Sequence, residues 1–271
     1  MSRLAKLCSI ALFFASLALF PSVSINKAAA AQGSDLPAPQ LVTDAWMFIA
    51  AYKADPETLK ALLPPRLEAN PAGHIVLNMY TVPDATQTSG FGAYTLTYLT
   101  VELKDQDSYV MNSDVTYPGR YFVYYFNSSP LMREYTEKIG IPAQEGMTTT
   151  TVKDGKLTAV LTVNGQPLIE ATADVRSELG NFGGGHLNYF GLIQTEKDGK
   201  TTSQVVKYPI PWVGGTVEMK DPHIKFKAPA DHPLNKIKPL AEAPDWAIWT
   251  KGSFVYPQYV VVNEWTSDGK K

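Results

Sequence analysis

Three turn dipeptides constrain the fold of this chain more than any other feature of its 271 residues. Asp154-Gly155, Asn164-Gly165 and Asp198-Gly199 each lie between runs rich in threonine, valine and other strand-forming residues. Asp-Gly and Asn-Gly pairs adopt the positive φ angles that two-residue hairpin turns require. Each dipeptide therefore predicts two adjacent antiparallel strands, and the sheet that contains them is predicted to be largely antiparallel.

Further strands are predicted wherever β-branched and aromatic residues dominate, and aromatic residues make up 11% of the chain. These segments read HIVLNMYTV, FGAYTLTYLTVELK, RYFVYYF, TVEMKDPHIKFKA and FVYPQYVVVNEW. So many antiparallel strands need their edges paired or covered, and a closed barrel or a two-sheet clam achieves this. We predict a single mainly β domain, β-rich α+β in class, with two or three short helices.

Two segments carry the signals of a helix start. Asp55 is suited to the N-cap of the first helix, and Pro56 to its first position. Ser129 and Pro130 repeat this arrangement in the second helix, which Gly140 is predicted to end. Both helices are short, so their stability is expected to come from packing against the sheet.

The first residues of the chain are not predicted to belong to the domain. A basic start that contains Arg3 and Lys6 precedes an apolar run, and small residues suited to signal peptidase follow. This pattern is typical of a secretory signal peptide, and the apolar run is too short for a membrane span. We predict a signal peptide at 1–31, a linker at 32–40 and a domain at 41–271. The mature protein is expected to be periplasmic or secreted, without membrane association after cleavage.

Composition excludes several classes of function. Cys8, the only cysteine, lies in the predicted signal peptide, so no disulfide or cysteine nucleophile is expected in the mature domain. The formal net charge is −2 and no basic stripe is present, which argues against nucleic acid as a partner. The histidines lack the spacing of a helical zinc pair, so we expect neither a metal nor a cofactor. They are His74, His186, His223 and His232.

A glycine run at 183–185 precedes one of these histidines. Backbone N–H groups in such a run can bind an anion. The ordinary interpretation is a loop that needs unusual φ angles, and we predict a loop here.

Five segments, in this order, resemble the acetoacetate decarboxylase superfamily. They read AAYKADPETLKALLPPRLEA, SGFGAYTLT, MREYTEKIGIPAQ, LNYFGLIQTEKDGK and APADHPLNKIKPL, and the match spans most of residues 40–262. The resemblance implies a cone-shaped antiparallel β-barrel with a central pocket for a small molecule, and it allows a homo-oligomer. In that family a lysine amine forms a Schiff base with a β-keto acid, and its iminium accepts the electrons left when carbon dioxide departs. A second lysine and desolvation lower the pKa of that amine.

The lysines that the resemblance implies are replaced in this chain. They follow a proline in the family, and the matching positions hold Ala143 and Gln144. The family's pocket glutamates fall on Asn78 and Leu96, and Tyr94 matches a pocket tyrosine. These positions are predicted to contact a ligand, because neutral polar groups bind carbonyl, hydroxyl or carboxylate oxygens. The alternative is that they bond to the local backbone or, for Tyr94, pack in the core.

Arg133 and Glu134 match an Arg-Glu pair of the family that we expect to shape the same segment around the pocket. Lys138 is the nearest amine to the missing lysines and the one candidate for a relocated catalytic group. The favoured interpretation is a solvated helix lysine that pairs with Glu134, since surface lysines are commonly paired in this way.

Two functions remain open from the sequence. In the first, the protein is a lyase-like or hydratase-like enzyme that acts on a small keto or hydroxy acid through a rebuilt site. In the second, it is a non-catalytic protein whose barrel pocket binds an organic acid or an apolar ligand. The replaced lysines favour the second function, whereas the family resemblance favours the first.

Overall fold

The computed structural model describes residue 36 and residues 38–114 and 116–268. The predicted signal peptide with Cys8, and most of the predicted linker, lie outside these residues and stay predictions. The described part contains twelve strands, two α-helices and two 3-10 helices. Among its helices, none combines the length and the apolar character that a bilayer span requires.

The elements follow one another as a β-rich chain with short helical interruptions. The strands are β1 Gln40–Lys53, β2 His74–Val82, β3 Tyr94–Glu102, β4 Tyr109–Val110, β5 Arg120–Asn127, β6 Ala143–Glu145, β7 Met147–Lys153, β8 Lys156–Val163, β9 Gln166–Lys197, β10 Lys200–Phe226, β11 Trp246–Tyr256 and β12 Val260–Asp268. The α-helices are α1 Pro56–Leu62 and α2 Pro130–Lys138, and the 3-10 helices are Ala85–Gln87 and Pro233–Ile237.

Seven strands pair in a ring. The order is β10, β11, β1, β2, β3, β5 and β9, and β9 pairs again with β10. The mainly β class is therefore confirmed, and the ring is consistent with the predicted barrel. Strands β5 and β9 pair in parallel, with Arg120 and Tyr121 of β5 beside Tyr189 and Phe190 of β9. The sheet is thus mixed rather than wholly antiparallel.

The three predicted hairpins are confirmed. Asp154, Asn164 and Asp198 have φ angles of 50°, 50° and 52°, and the glycine after each also has positive φ. These turns join β7 to β8, β8 to β9 and β9 to β10 in antiparallel register. The residues of these turns therefore determine the register between consecutive strands from β7 to β10.

Both predicted helix starts are confirmed. The Asp55 side chain accepts a hydrogen bond from the Thr58 backbone N–H, and the Ser129 side chain accepts one from the Met132 N–H. Each helix has its proline in the first turn, where the missing N–H costs nothing. Helix α2 buries Met132, Tyr135 and Thr136 against the sheet.

The predicted glycine loop is wrong, because Gly183, Gly184 and Gly185 lie inside strand β9. The physical reason is a close approach of another strand. Strand β4 pairs with β9 at Gly185, and a Cβ at that position would overlap the carbonyl oxygen of Tyr109. The glycines thus allow a short strand to lie directly against β9.

The buried apolar residues form two main clusters. The first includes Phe48, Leu77 and Ile169, and helix α1 contributes Leu59 to it. The second is rich in aromatic rings and surrounds Tyr125. The second cluster borders a cavity, since several of its members, among them Tyr80 and Phe122, line that cavity.

Candidate functional site

A cavity of about 520 Å³ lies inside the ring of strands. Successive side chains of a strand point to opposite faces, so only every second residue can face the inside. Strand β11 shows this period in Trp246, Ile248, Thr250, Gly252, Phe254 and Tyr256, and Ser253 is its exception. Strands β1, β2, β5 and β10 contribute pairs of residues at the same spacing, and β10 adds Val213, Gly214 and Thr216. These pairs are Met47 and Ile49, Asn78 and Tyr80, Arg120 and Phe122, and Ile210 and Trp212.

The wall is mostly apolar and carries one charged group. Arg120 is the only ionisable acid or base other than tyrosine among the described lining residues. It is buried, with 4% of its surface exposed. Its guanidinium lies over the Trp246 ring, with Cζ 5.8 Å from the ring centroid. A permanent positive charge therefore borders an otherwise apolar cavity.

The hydrogen bonds of Arg120 are few for a buried guanidinium, which has five N–H donors. Nη1 donates to the Tyr189 hydroxyl at 3.4 Å, whereas Nε is buried without a hydrogen-bond partner among the described residues. Glu102 lies opposite Arg120 on β3 and its charge favours the guanidinium electrostatically, yet no ion pair joins the two within the described residues, and the Glu102 carboxylate bonds to His74 instead. Within the described part of the chain, no carboxylate is thus hydrogen-bonded to Arg120.

Other donors on the wall are also unpaired. Asn78 Nδ2 and Trp212 Nε1 are buried, and neither has a hydrogen-bond partner in the part of the chain that the structure describes. The Tyr98 and Tyr189 hydroxyls lie 3.0 Å apart, so this contact uses only one of their two protons. Unpaired buried donors are costly, and the set is complementary to acceptor oxygens.

Four tyrosine hydroxyls meet beside the cavity. The Tyr256 hydroxyl lies 3.1 Å from that of Tyr80 and 3.2 Å from that of Tyr125, and the Tyr80 and Tyr94 hydroxyls lie 3.2 Å apart. Burial raises the pKa of Tyr256 to about 12 and raises the pKa of the other three well above the ordinary value. All four phenols are therefore protonated at neutral pH and act as neutral hydrogen-bonding groups.

Behind Arg120, a histidine joins two carboxylates. His74 Nδ1 lies 2.9 Å from a Glu102 oxygen, and His74 Nε2 lies 3.0 Å from an Asp245 oxygen. The hydrogen bond to Glu102 raises the pKa of His74; burial opposes this and Asp245 adds to it. The imidazolium form is therefore favoured in the folded state.

We expect the His74→Gln substitution to lower stability in a pH-dependent manner. The pKa of His74 is raised on folding, so the contribution of its charge is complete below the unfolded pKa of about 6.5. It is lost as the pH rises through the folded pKa. Urea unfolding of both proteins should thus show a larger stability gap at pH 6 than at pH 9. His223→Gln, at an exposed position, is the control, and a gap for His74 that is independent of pH would contradict this account.

The residues that were predicted to contact a ligand lie in different parts of the structure. Asn78 lines the cavity, and Tyr94 lies behind Tyr80 as part of the tyrosine group. Leu96 is fully buried in the second core cluster, and Ala143 packs against that cluster. Gln144 follows on β6 and is exposed. Apart from Asn78, none of these residues belongs to the described wall.

The predicted residues of helix α2 lie outside the wall as well. Arg133 donates to the Asn127 carbonyl at 2.8 Å and lies 3.7 Å from Glu145. Lys138 Nζ lies 3.7 Å from Glu134, and the lysine side chain is 55% exposed. Both lysine and glutamate thus lie on the solvent side of the helix.

The sequence analysis missed Arg120, Trp212 and Trp246. A signal for Arg120 was present, because it lies two residues before Phe122 in RYFVYYF and so shares a strand face with it. Which face is inside could not be read from that strand alone. Within the described residues, no group of acidic, histidine or cysteine side chains has the arrangement of a metal site.

Comparison with protein families gives one match. The sequence profile of the acetoacetate decarboxylase family matches residues 26–252. No curated protein matches the chain.

Solved structures share the fold at low sequence identity. An acetoacetate decarboxylase from Legionella pneumophila is 18% identical, with a TM-score of 0.68 over 84% of this chain and 88% of that one. The enduracididine biosynthesis enzyme MppR, complexed with the condensation product of pyruvate and imidazole 4-carboxaldehyde, is 14% identical, with a TM-score of 0.61 over 93% and 97%. An acetoacetate decarboxylase-like enzyme from Sphingomonas wittichii RW1 is 13% identical, with a TM-score of 0.59 over 83% and 92%. At these identities the likeness concerns the fold alone.

Proposed function

The chain belongs to the acetoacetate decarboxylase family, and we propose that its pocket binds an organic acid whose carboxylate pairs with Arg120. The observation that carries this proposal is a buried guanidinium with one hydrogen bond, to Tyr189, and no hydrogen-bonded carboxylate among the described residues. Burying a charge without a partner is unfavourable. A ligand carboxylate would supply both the opposite charge and the missing acceptors, in the paired geometry that guanidinium prefers.

The remaining wall supports the same class of ligand. Asn78, Trp212 and the Tyr98–Tyr189 pair add donors, and no acidic side chain of the described wall would repel an anion. Among the structural relatives, MppR has been solved with a condensation product of pyruvate, and pyruvate is a carboxylic acid. By analogy, an acid is the ligand class that this fold suggests as well.

We propose binding rather than amine catalysis. Schiff-base formation needs a lysine next to the bound acid. The family positions hold Ala143 and Gln144, and no lysine belongs to the described wall. A lyase-like reaction without an amine is the second candidate, and the tyrosine group around Tyr256 favours it because protonated phenols can stabilise a developing oxyanion.

Paired ligands test the proposal. Keto, hydroxy and alkyl monocarboxylates and their neutral amides are titrated into the protein by calorimetry. Loss of a charge-assisted hydrogen bond is worth about 1.5–3 kcal/mol, so at least one acid is expected to bind roughly 10-fold or more tightly than its amide. Equal binding of acids and amides would overturn the proposal. Mass spectrometry of the same samples detects turnover, which would support the lyase-like alternative.

We also propose that the protein is exported. The basic start and apolar run of residues 1–31 support this. N-terminal sequencing of the mature protein is expected to begin near residue 31, and full-length protein that stays in the cytoplasm would contradict export.

A further inference from the structure

Five exposed apolar side chains lie on or near strands β4, β9 and β10, beside residues that line the cavity. We call this set the apolar rim. Its members, with their exposed fractions, are Tyr109 at 55%, Met111 at 50%, Tyr117 at 41%, Phe182 at 73% and Val213 at 57%. Exposed apolar residues scattered singly are ordinary, whereas a contiguous group marks a site of interaction.

Two members of the rim, Tyr117 and Val213, line the cavity themselves. The other three alternate with lining residues along the chain, so their side chains project from the opposite face. Val110 lies between Tyr109 and Met111, and Phe182 lies between Asn181 and Gly183.

The strands that carry the rim pack closely. The Phe182 ring lies within 3.0 Å of where a Cβ of Gly215 would be, and Met111 Cε is 3.6 Å from the corresponding point at Gly184. The rim therefore spans strands β4, β9 and β10.

We infer that the ligand is an amphiphilic acid, whose carboxylate pairs with the buried Arg120 and whose aliphatic or aryl-aliphatic tail extends along the wall to the apolar rim. This rests on the proposed function, because it takes Arg120 as the carboxylate partner. Charge complementarity with Arg120 indicates that the head group of the ligand is a carboxylate. The exposed apolar rim indicates that the other end of the ligand is apolar, since a wholly polar ligand would leave these side chains in water.

The size of the cavity supports a ligand with a tail. A volume of about 520 Å³ falls in the range of roughly 300–1,000 Å³ that is typical for pockets of drug-sized ligands. An acid of the size of pyruvate would leave most of the apolar wall without contacts. An acid with a tail would cover that wall.

The test is a chain-length series. Butanoate, octanoate, dodecanoate and hexadecanoate, each below its micelle concentration, are titrated into the full mature protein. Each methylene that becomes buried is expected to tighten binding by about fourfold. The gain should continue through the lengths that fill the pocket and stop once the tail passes the rim.

Variants at the rim separate this inference from the proposed function. Tyr117→Ser and Val213→Ser are expected to weaken dodecanoate binding by about fivefold or more and butanoate binding by much less, because both side chains line the cavity and only the longer tail is expected to reach them. Leu240→Ser is the matched control, because Leu240 is 69% exposed and lies outside the described wall. Leu240→Ser should change the affinity for neither dodecanoate nor butanoate.

Three results would count against the inference, and they differ in what they imply. Acids that bind with no dependence on chain length would overturn the amphiphile and leave the proposed function standing. Failure of acids of every length to bind would overturn the proposed function itself. Vesicle binding or dimerisation that Phe182→Ser abolishes, without a chain-length effect, would assign the rim to a membrane or a second copy of the chain.

Discussion

Replacing Arg120 by Met is expected to weaken binding of the organic acid by roughly 10- to 150-fold without lowering the stability of the fold. The loss of affinity corresponds to about 1.5–3 kcal/mol for charge-assisted hydrogen bonds to the ligand. Stability should change little, because the guanidinium makes one long hydrogen bond to Tyr189 and the Glu102 carboxylate keeps its bond to His74. Calorimetric titration and thermal unfolding of both proteins measure the two effects.

Two further measurements make the result for Arg120 specific. Arg120→Lys retains the charge but loses the two-pronged donor geometry, so its affinity should lie between those of the other two proteins. The neutral amide of the same acid should bind wild type and Arg120→Met alike. A variant that unfolds more easily and yet binds acids normally would show that Arg120 is a structural residue.

Gly185→Ala is expected to disrupt the wall formed by strand β4. An added Cβ would overlap the Tyr109 carbonyl oxygen, which is backbone and cannot move without displacing β4. Overpacking of this kind costs about 1–3 kcal/mol. Because Val110 and Tyr117 form part of the pocket next to this strand, ligand affinity should fall together with stability.

Gly180→Ala provides the matched control in the same strand. Nothing lies within 4 Å of a Cβ at Gly180, so this change should be nearly neutral. Hydrogen exchange should show lost protection at the Met111 amide, which donates to the Gly184 carbonyl at 2.8 Å, in Gly185→Ala only. Equal protection in both variants would mean that β4 adapts to the methyl group.

Features determined by neighbouring residues were predictable from the sequence. The hairpins at Asp154, Asn164 and Asp198 follow from the φ preferences of two adjacent residues. The helix starts at Asp55 and Ser129 follow from one side chain and one proline each. The resemblance supplied the fold, which no local signal contains.

Features determined by pairing across the ring were not predictable in the same way. Arg120 becomes a wall residue because β5 lies beside β9 and because the inner face of β5 is the one that carries Phe122. Gly185 was predicted to lie in a loop. The reason for a glycine inside a strand is its pairing with Val110 of β4, which the local sequence does not show. Each of these contacts joins segments far apart in the chain, so the sequence around either residue does not reveal it.

The family resemblance placed the ligand site where tyrosines now pack. Tyr94, Leu96 and Ala143 belong to or contact the cluster around Tyr125 and Tyr256. The cavity is bordered by Arg120, and no lysine belongs to its described wall.

The most direct test of this account is an experimentally determined structure of the protein with a bound acid, obtained with the tightest ligand of the chain-length series. The account predicts a carboxylate oxygen within about 3 Å of the Arg120 guanidinium and a tail that runs along Phe122 and Trp212 toward Val213. A carboxylate in solvent with the tail inside, or a ligand bound outside the ring of strands, would contradict it.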